Sequence, residues 1–195
     1  IFFGALNRRE DWEPLMPTIN EMIRQYGDRL HFRVVSDHSF YQALETEAKE
    51  FTGGAHDGYI VAPYEQYTAA SDIALLPLRD TEFNRAKSDL KFIEAAGYGA
   101  AVLASPTVYE ATVRDGETGL IYHSPKEFAE KLDLLIQRAD LRRTLAENAY
   151  RYVAEHRLLE QHLDDYIAAY RELFERWEEL ERERLRRVEK FFPHL

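Results

Sequence analysis

Cysteine is absent from the 195 residues, which excludes disulfides and thiolate metal sites. That absence fits a reducing compartment, and a cytoplasmic protein is expected. Long apolar runs are missing too: nothing approaches the ~20 consecutive apolar residues that span a bilayer, and no basic-then-apolar leader opens the chain. A soluble protein without a transmembrane segment is therefore expected. Positive charge is scarce, with 25 Lys and Arg against 35 Asp and Glu and a formal net charge of -10. Such a surface repels nucleic acid and anionic lipid, so a phosphate-bearing partner must be held by a local cluster of cations. This favours a small ligand over nucleic acid. The initiating methionine is missing as well; the chain opens inside a strand-like run (Ile1, Phe2, Phe3), as a piece of a longer protein would.

Apolar residues make up 45% of the chain, enough for one substantial core. Their spacing alternates between two periods. Ile1 to Phe3 ends at Gly4, and after the loop ALNRRED the residues Trp12, Leu15, Ile19, Met22, Ile23 and Tyr26 recur at helical spacing. HFRVVSD (His31 to Asp37) is a β-branched strand, with Phe40, Leu44 and Ala48 at helical spacing behind it. Gly53, Gly54 and Gly58 break the chain before an apolar segment at Tyr59 to Ala62, and PYEQYTAA starts a helix with Pro63 in its first turn. SDIALLPL (Ser71 to Leu78) reads as a central strand buried on both faces. A polar loop follows, then a helix from about Lys87 to Ala96 closed by Gly97 and Gly99, then the buried strand AAVLAS. GLIY is one more short strand, and Ser124 is placed to cap a helix carrying Phe128, Leu132, Leu135 and Ile136. Strands alternating with helices over about 140 residues predict an α/β fold, a doubly wound, mostly parallel sheet whose ligands sit at the carboxyl ends of strands.

That rule directs attention to PLRDTEFNRAKSDLKFIE, Pro77 to Glu94, where Arg79, Arg85, Lys87 and Lys91 gather about the start of a predicted helix. Unpaired N–H groups and the helix dipole favour an anion there, and the cations add charge-assisted bonds. A diphosphate suits the place. With a helix starting near Lys87, the residues Lys87, Lys91 and Glu94 lie along one face, cations first and the carboxylate a turn on. Phosphate followed by sugar hydroxyls fits that order. Asp80, Glu82, Asp89 and Glu94 accompany the cations, so ordinary surface pairing on a helix packed by Leu90 and Ile93 is the other reading. The loop TVYEATVRDGETG offers backbone N–H groups at Thr107 and Val108 and again at Thr118 and Gly119, while Tyr109 and Glu110 either face a sugar or acceptor or start a helix. His156 and His162, six apart on a predicted helix, point to different faces, and no carboxylate cluster completes a set, so no metal is expected. His38, alone after a strand, reads as a capping or solvated residue, and no Ser, His and Asp arrangement supports a hydrolase.

Residues 72 to 122 resemble the C-terminal domain of retaining glycosyltransferases of the GT-B fold, the large group-1 class also called family 4. The resemblance rests on DIALLPL before the donor site, on KFIEAAGYGAAVLAS as helix, glycine and strand, and on DGETGLIY as the closing glycine-rich turn. KSDLKFIEAA followed by VLASPTVYE is characteristic of one branch of the class, and weaker similarity covers most of residues 1 to 155. The resemblance implies the Rossmann-like, donor-binding half of a retaining transferase. Its donor is a nucleoside diphosphate sugar, with no cofactor and no metal. In the family two glutamates eight positions apart bind the donor, one on the hexose and one on the ribose hydroxyls; Glu94 matches the second, and Ala86 stands where the first would fall. By the same resemblance Lys87 and Ser88, or Lys91, contact the diphosphate. Gly4 with Asn7 and Arg8 matches the first phosphate loop, with Arg9 as the other candidate arginine, and the base is read by a loop that here runs from Gly58 to Tyr64 and includes Tyr59. The acceptor site belongs to an N-terminal domain outside these residues, so this chain alone is expected to bind donor and hardly to turn it over.

Beyond residue 155 the pattern is helical to the end, which divides the chain into a nucleotide-sugar-binding domain (1 to 155) and a helical extension (156 to 195). From Arg171 to Lys190 glutamate and arginine dominate, leaving Leu173, Phe174, Trp177, Leu180, Leu185 and Val188 as a narrow apolar stripe. In the resembled enzymes the last helix crosses to the N-terminal domain; self-association through this helix is the other pairing the stripe allows. Two further readings stay open: a non-catalytic GT-B-like interaction module that works through its charged helix, and an unrelated doubly wound binding domain.

Overall fold

The computed structural model describes residues 1–5, 8–53 and 61–191, with the backbone alone for 61–63. Its six strands are β1 (Phe2–Gly4), β2 (Phe32–Val35), β3 (Lys49–Thr52), β4 (Ile73–Leu76), β5 (Ala101–Ala104) and β6 (Leu120–Ile121). They pair in parallel in the order β3-β2-β1-β4-β5-β6, with Phe2 opposite Arg33 on one side and Ala74 on the other. The order reverses between β1 and β4, so a crevice opens at the carboxyl ends of those two strands.

Side chains alternate across the sheet because successive Cβ atoms point to opposite faces. Phe3, Val34, Ile73, Leu75 and Leu103 enter one core, where they meet Trp12, Ile19, Phe40, Phe128 and Leu132. Phe2, Val35, Ala74, Leu76 and Val102 enter the other, against Phe92, Ala96, Ala149 and Val153. The helices that cover these faces are α1 (Arg9–Trp12), α2 (Met16–Tyr26), α3 (His38–Ala43), α4 (Val61–Ala69), α5 (Glu82–Arg85), α6 (Leu90–Gly97), α7 (Pro106–Tyr109), α8 (Pro125–Gln137) and α9 (Ala139–His156). Ser124 caps α8, its hydroxyl accepting from Glu127 N at 3.2 Å. Asp37 caps α3 in the same way and also accepts from Trp12 Nε1, each at 3.0 Å, which locks the end of β2 to the first helices.

Three local expectations give way. The helix behind β2 stops at Ala43, and Ala48 precedes β3 instead of continuing that helix. The apolar segment at 59 to 62 falls largely outside the described residues, and its described end, Val61 and Ala62, already belongs to α4. The helix expected from Lys87 begins at Leu90, because Thr81 starts a separate turn of helix, accepting from Asn84 N at 3.1 Å, and residues 86 to 89 bend between the two.

The chain divides into two compact units, Ile1–Glu155 and His156–Leu195. The second holds a 3-10 turn (Leu159–His162), α10 (Leu163–Glu175) and α11 (Trp177–Phe191), and neither α10 nor α11 buries a residue. Arg176 separates them as a turn residue with φ -98° and ψ 10°, although its N–H donates to Glu172 O and its carbonyl accepts from Leu180 N, each at 3.0 Å. No helix among the described residues is long and apolar enough to cross a membrane.

Candidate functional site

At the end of β1 the backbone passes so close to two rings that only glycine fits. A Cβ on Gly4 would lie 2.6 Å from Phe2 Cζ and 2.8 Å from Tyr64 Cε2. Asn7 lies outside the described residues. Arg8 reaches across the crevice, its Nη1 donating to Asn84 Oδ1 at 3.1 Å and to Asp11 Oδ2 at 3.4 Å. Asp11 is a carboxylate only 8% exposed. Two further donors, Arg79 N at 2.9 Å and Asn84 Nδ2 at 3.0 Å, hold its Oδ1, while Arg8 faces Oδ2. Arg9, by contrast, turns outward to Glu13 at 2.8 Å. Of the two candidate arginines, Arg8 is the one the structure places in the crevice.

The four cations of the β4–α6 connection separate into two kinds. Arg79 pairs with Glu10 at 2.7 Å, and Arg85 makes a two-pronged pair with Asp80 at 2.6 and 2.7 Å, whose hydrogen bonds hold the Asp80 carboxyl below the usual carboxylate range. Lys91 and Lys87 turn inward. Lys91 Nζ lies 2.7 Å from Tyr64 Oη, 3.2 Å from Glu94 Oε2 and 4.1 Å from the centre of the Tyr64 ring. The Tyr64 hydroxyl donates in turn to Glu94 Oε2 at 2.7 Å. Lys87 is not on α6, so it does not share a helix face with Lys91 and Glu94; it sits in the bend before the helix. Its Nζ is shielded from solvent and has no hydrogen-bond partner among the described residues. It lies 4.8 Å from the ring centre of Phe83, which Arg8 also approaches at 5.9 Å and which is 73% exposed. Ser88, next to Lys87, is exposed, and so is Ala86 at the end of α5.

The loop after β5 is tied to the sheet by its side chains. Thr107 Oγ1 donates to Leu78 O at 3.0 Å, and Ser105 Oγ accepts from Leu78 N at 2.9 Å. Val108 packs against the second core. Tyr109 is buried at the end of α7, 3% exposed, and burial first, then the Asp89 charge, push its phenol above the usual tyrosine range. Thr118 Oγ1 accepts from Arg114 N at 2.9 Å, and a Cβ on Gly119 would collide with Val102 Cγ2 and lie 2.8 Å from Val113 Cγ1. Among the described residues no group of three or more His, Asp or Glu is placed to hold a metal ion. His38 starts α3 and packs edge-on against Phe51.

Tyr64, Asp11, Asn84 and Phe83 belong to this site but were not assigned roles by spacing. Each acts through a partner distant in sequence, and the one signal available was an aspartate at position 11 in a loop at the end of a strand.

A six-stranded parallel sheet with a charged crevice at its switch point defines a Rossmann-like domain. A family profile for glycosyl transferases of group 1 matches residues 1–138, and the chain belongs to that family. Comparison with curated proteins gave no match. Among solved structures, the C-terminal domain of the group 1 glycosyl transferase LpcC from Francisella tularensis is 22% identical, with a TM-score of 0.60 over 81% of this chain and 85% of that one. TarM of S. aureus, solved with fondaparinux, α-GlcNAc-glycerol and UDP, is 12% identical, with a TM-score of 0.66 over 86% of this chain and 34% of its own. Anabaena HepE, solved with UDP and glucose, is 17% identical, with a TM-score of 0.64 over 86% and 47%. The fold is thus that of the C-terminal half of such enzymes, and the chain spans a third to a half of the length of TarM and HepE.

Proposed function

We propose that this chain binds the donor of a glycosyl transfer, a nucleoside diphosphate sugar, in the crevice between β1 and β4. The observation that carries the reading is the Lys87 ammonium, shielded from solvent and without a hydrogen-bond partner among the described residues, one bend before the first turn of α6. An unpaired buried cation is costly unless an anion completes it, and a diphosphate supplies both charge and acceptor oxygens. Arg8 lies on the other wall of the crevice, against the same Phe83 ring. Ser88 and the first amides of α6 extend the anion site, and the backbone of Thr107, Val108, Thr118 and Gly119 borders it at the neighbouring strands. Glu94 takes the ribose hydroxyls, its carboxylate oriented by Tyr64 and Lys91. UDP in the solved structures of TarM and HepE supports the nucleotide half of this reading.

Transfer proceeds with retention at the sugar carbon and without a metal, since cations from the chain itself meet the diphosphate charge. The acceptor and the groups that act on its hydroxyl belong to a further domain of a cytoplasmic enzyme. Isothermal titration with UDP, GDP and their sugars tests the proposal. Heat from a nucleoside diphosphate, reduced about tenfold or more in affinity by Glu94→Ala, is the expected outcome, an effect the size of a lost hydrogen bond to a charged group. No heat from any nucleotide would favour the interaction module instead, a reading to which Ala86 in place of the first glutamate lends support.

A further inference from the structure

The helical unit carries a surface that the crevice does not use. Along α10 and α11 the apolar residues Leu163, Tyr170, Leu173, Phe174, Trp177 and Phe191 are all exposed, Phe174 at 79%, and apart from the adjacent Leu173 and Phe174 they follow one another at 7, 3, 3 and 14 residues. α10 and α11 hold 13 and 15 residues, about 20 Å and about 22 Å of helix at 1.5 Å per residue, together enough for about four heptads of contact. An amphipathic helix of this length with no buried residue needs a partner to cover its stripe.

Charge along the same helix says what partner fits. From Glu160 to Glu183 there are nine acids against three cations; from Arg184 to Lys190 there are four cations and one acid. Two copies laid side by side in parallel would set acid on acid and cation on cation. Laid antiparallel, the basic end of each α11 meets the other copy's acidic Glu160, in the 3-10 turn, and Asp164 and Asp165, at the start of α10. We propose that two copies of this chain associate through an antiparallel pairing of their α10–α11 helices, closed by a two-fold axis near the middle of the stripe. The existing pairs of Arg176 with Glu172 and Glu179, and of Arg184 with Glu181, lie at the solvent surface and flank the stripe without covering it. An anionic membrane is the poorer occupant, because the acids of α10 and of the first half of α11 would face its charge.

Sedimentation velocity on the whole chain over a range of concentrations tests this independently of nucleotide binding. A monomer–dimer equilibrium is expected. Trp177→Glu and the triple reversal Arg186→Glu, Arg187→Glu, Lys190→Glu should each weaken it at least about tenfold, several exposed ion pairs together being worth that much. Adding Glu160→Lys, Asp164→Lys and Asp165→Lys to the triple reversal should restore it. All these positions are exposed, so circular dichroism should show unchanged folding. A chain that stays monomeric at the highest concentration overturns the proposal, as does a dimer indifferent to Trp177→Glu. Failure of the compensating set to restore pairing rules out the antiparallel arrangement.

Discussion

Lys87 concentrates the conflict between stability and binding in one side chain. Its ammonium is shielded from solvent, 4.8 Å from the Phe83 ring centre and without a hydrogen-bond partner among the described residues, so it weakens the fold unless an anion completes it. Lys87→Met keeps the stem and removes the charge. The melting temperature is expected to rise by a few degrees, about 1 kcal/mol, while nucleoside diphosphate affinity falls about tenfold or more. Differential scanning fluorimetry and titration of one preparation measure both; a variant that loses stability as well as binding would show that the ammonium has a structural partner. Tyr109 and Tyr122 pose a second question at this scale. Burial raises both phenols above the value of about 10 that they have in the unfolded chain, so the folded state holds two protons that the unfolded state releases first. Their contribution is complete below pH 10 and declines above it, as pH climbs toward the folded values. Absorbance near 295 nm should show two of the twelve tyrosines ionising only with unfolding, and Tyr109→Phe should flatten the alkaline loss of stability. Sequence spacing exposed Glu94, Lys87 and Lys91, which lie within eight positions of one another. It hid Asp11 and Asn84, whose hydrogen bond joins residues 73 apart, and Tyr64, 30 positions from the carboxylate it orients.

At the scale of elements, the central strands were legible and so was the edge strand β6, whereas the other edge, β3, was not. IALL in β4 and AVLA in β5 are buried throughout, a continuous apolar signature that only a strand covered on both faces requires. β3 is KEFT, half-buried along its length at the margin of the sheet, and its alternation of charge and ring carries little of that signal. The start of α6 was missed for a different reason: two short helices with a bend between them share one run of helix-forming residues, and a capping threonine at position 81 decides where the first begins. Glycines of two successive connections, one before β5 and one after it, differ sharply. Gly119 lies under Val102 and Val113, whereas among the described residues nothing lies within 4 Å of a Cβ on Gly97. Gly119→Ala should cost about 1–3 kcal/mol through overpacking. Gly97→Ala, inside α6, should be neutral or stabilise by up to about 1 kcal/mol. Urea midpoints at unchanged m-value compare the two, and equal effects would mean that the β6 turn yields freely.

For the whole molecule, the doubly wound order follows from alternating periods in the sequence, because each parallel connection needs a crossover and each crossover here is helical or returns through a loop to the next strand. What periodicity leaves open is whether the last forty residues share in that stability. Every residue of the two cores lies between Ile1 and Val153, while α10 and α11 bury none. A chain ending at Glu155 should therefore keep its melting temperature within about 2–4 °C of the longer one, a shift that corresponds to no more than about 1 kcal/mol for a domain of this size. It should also bind nucleotide unchanged and sediment as a monomer at every concentration. The complementary peptide, residues 156 to 195, should gain helix as its concentration rises, because an amphipathic helix without a covered face is stabilised chiefly by packing. A fall of ten degrees or more on truncation would show instead that the helices stabilise the α/β unit directly, and dimers of the shortened chain would move the self-association surface off the stripe.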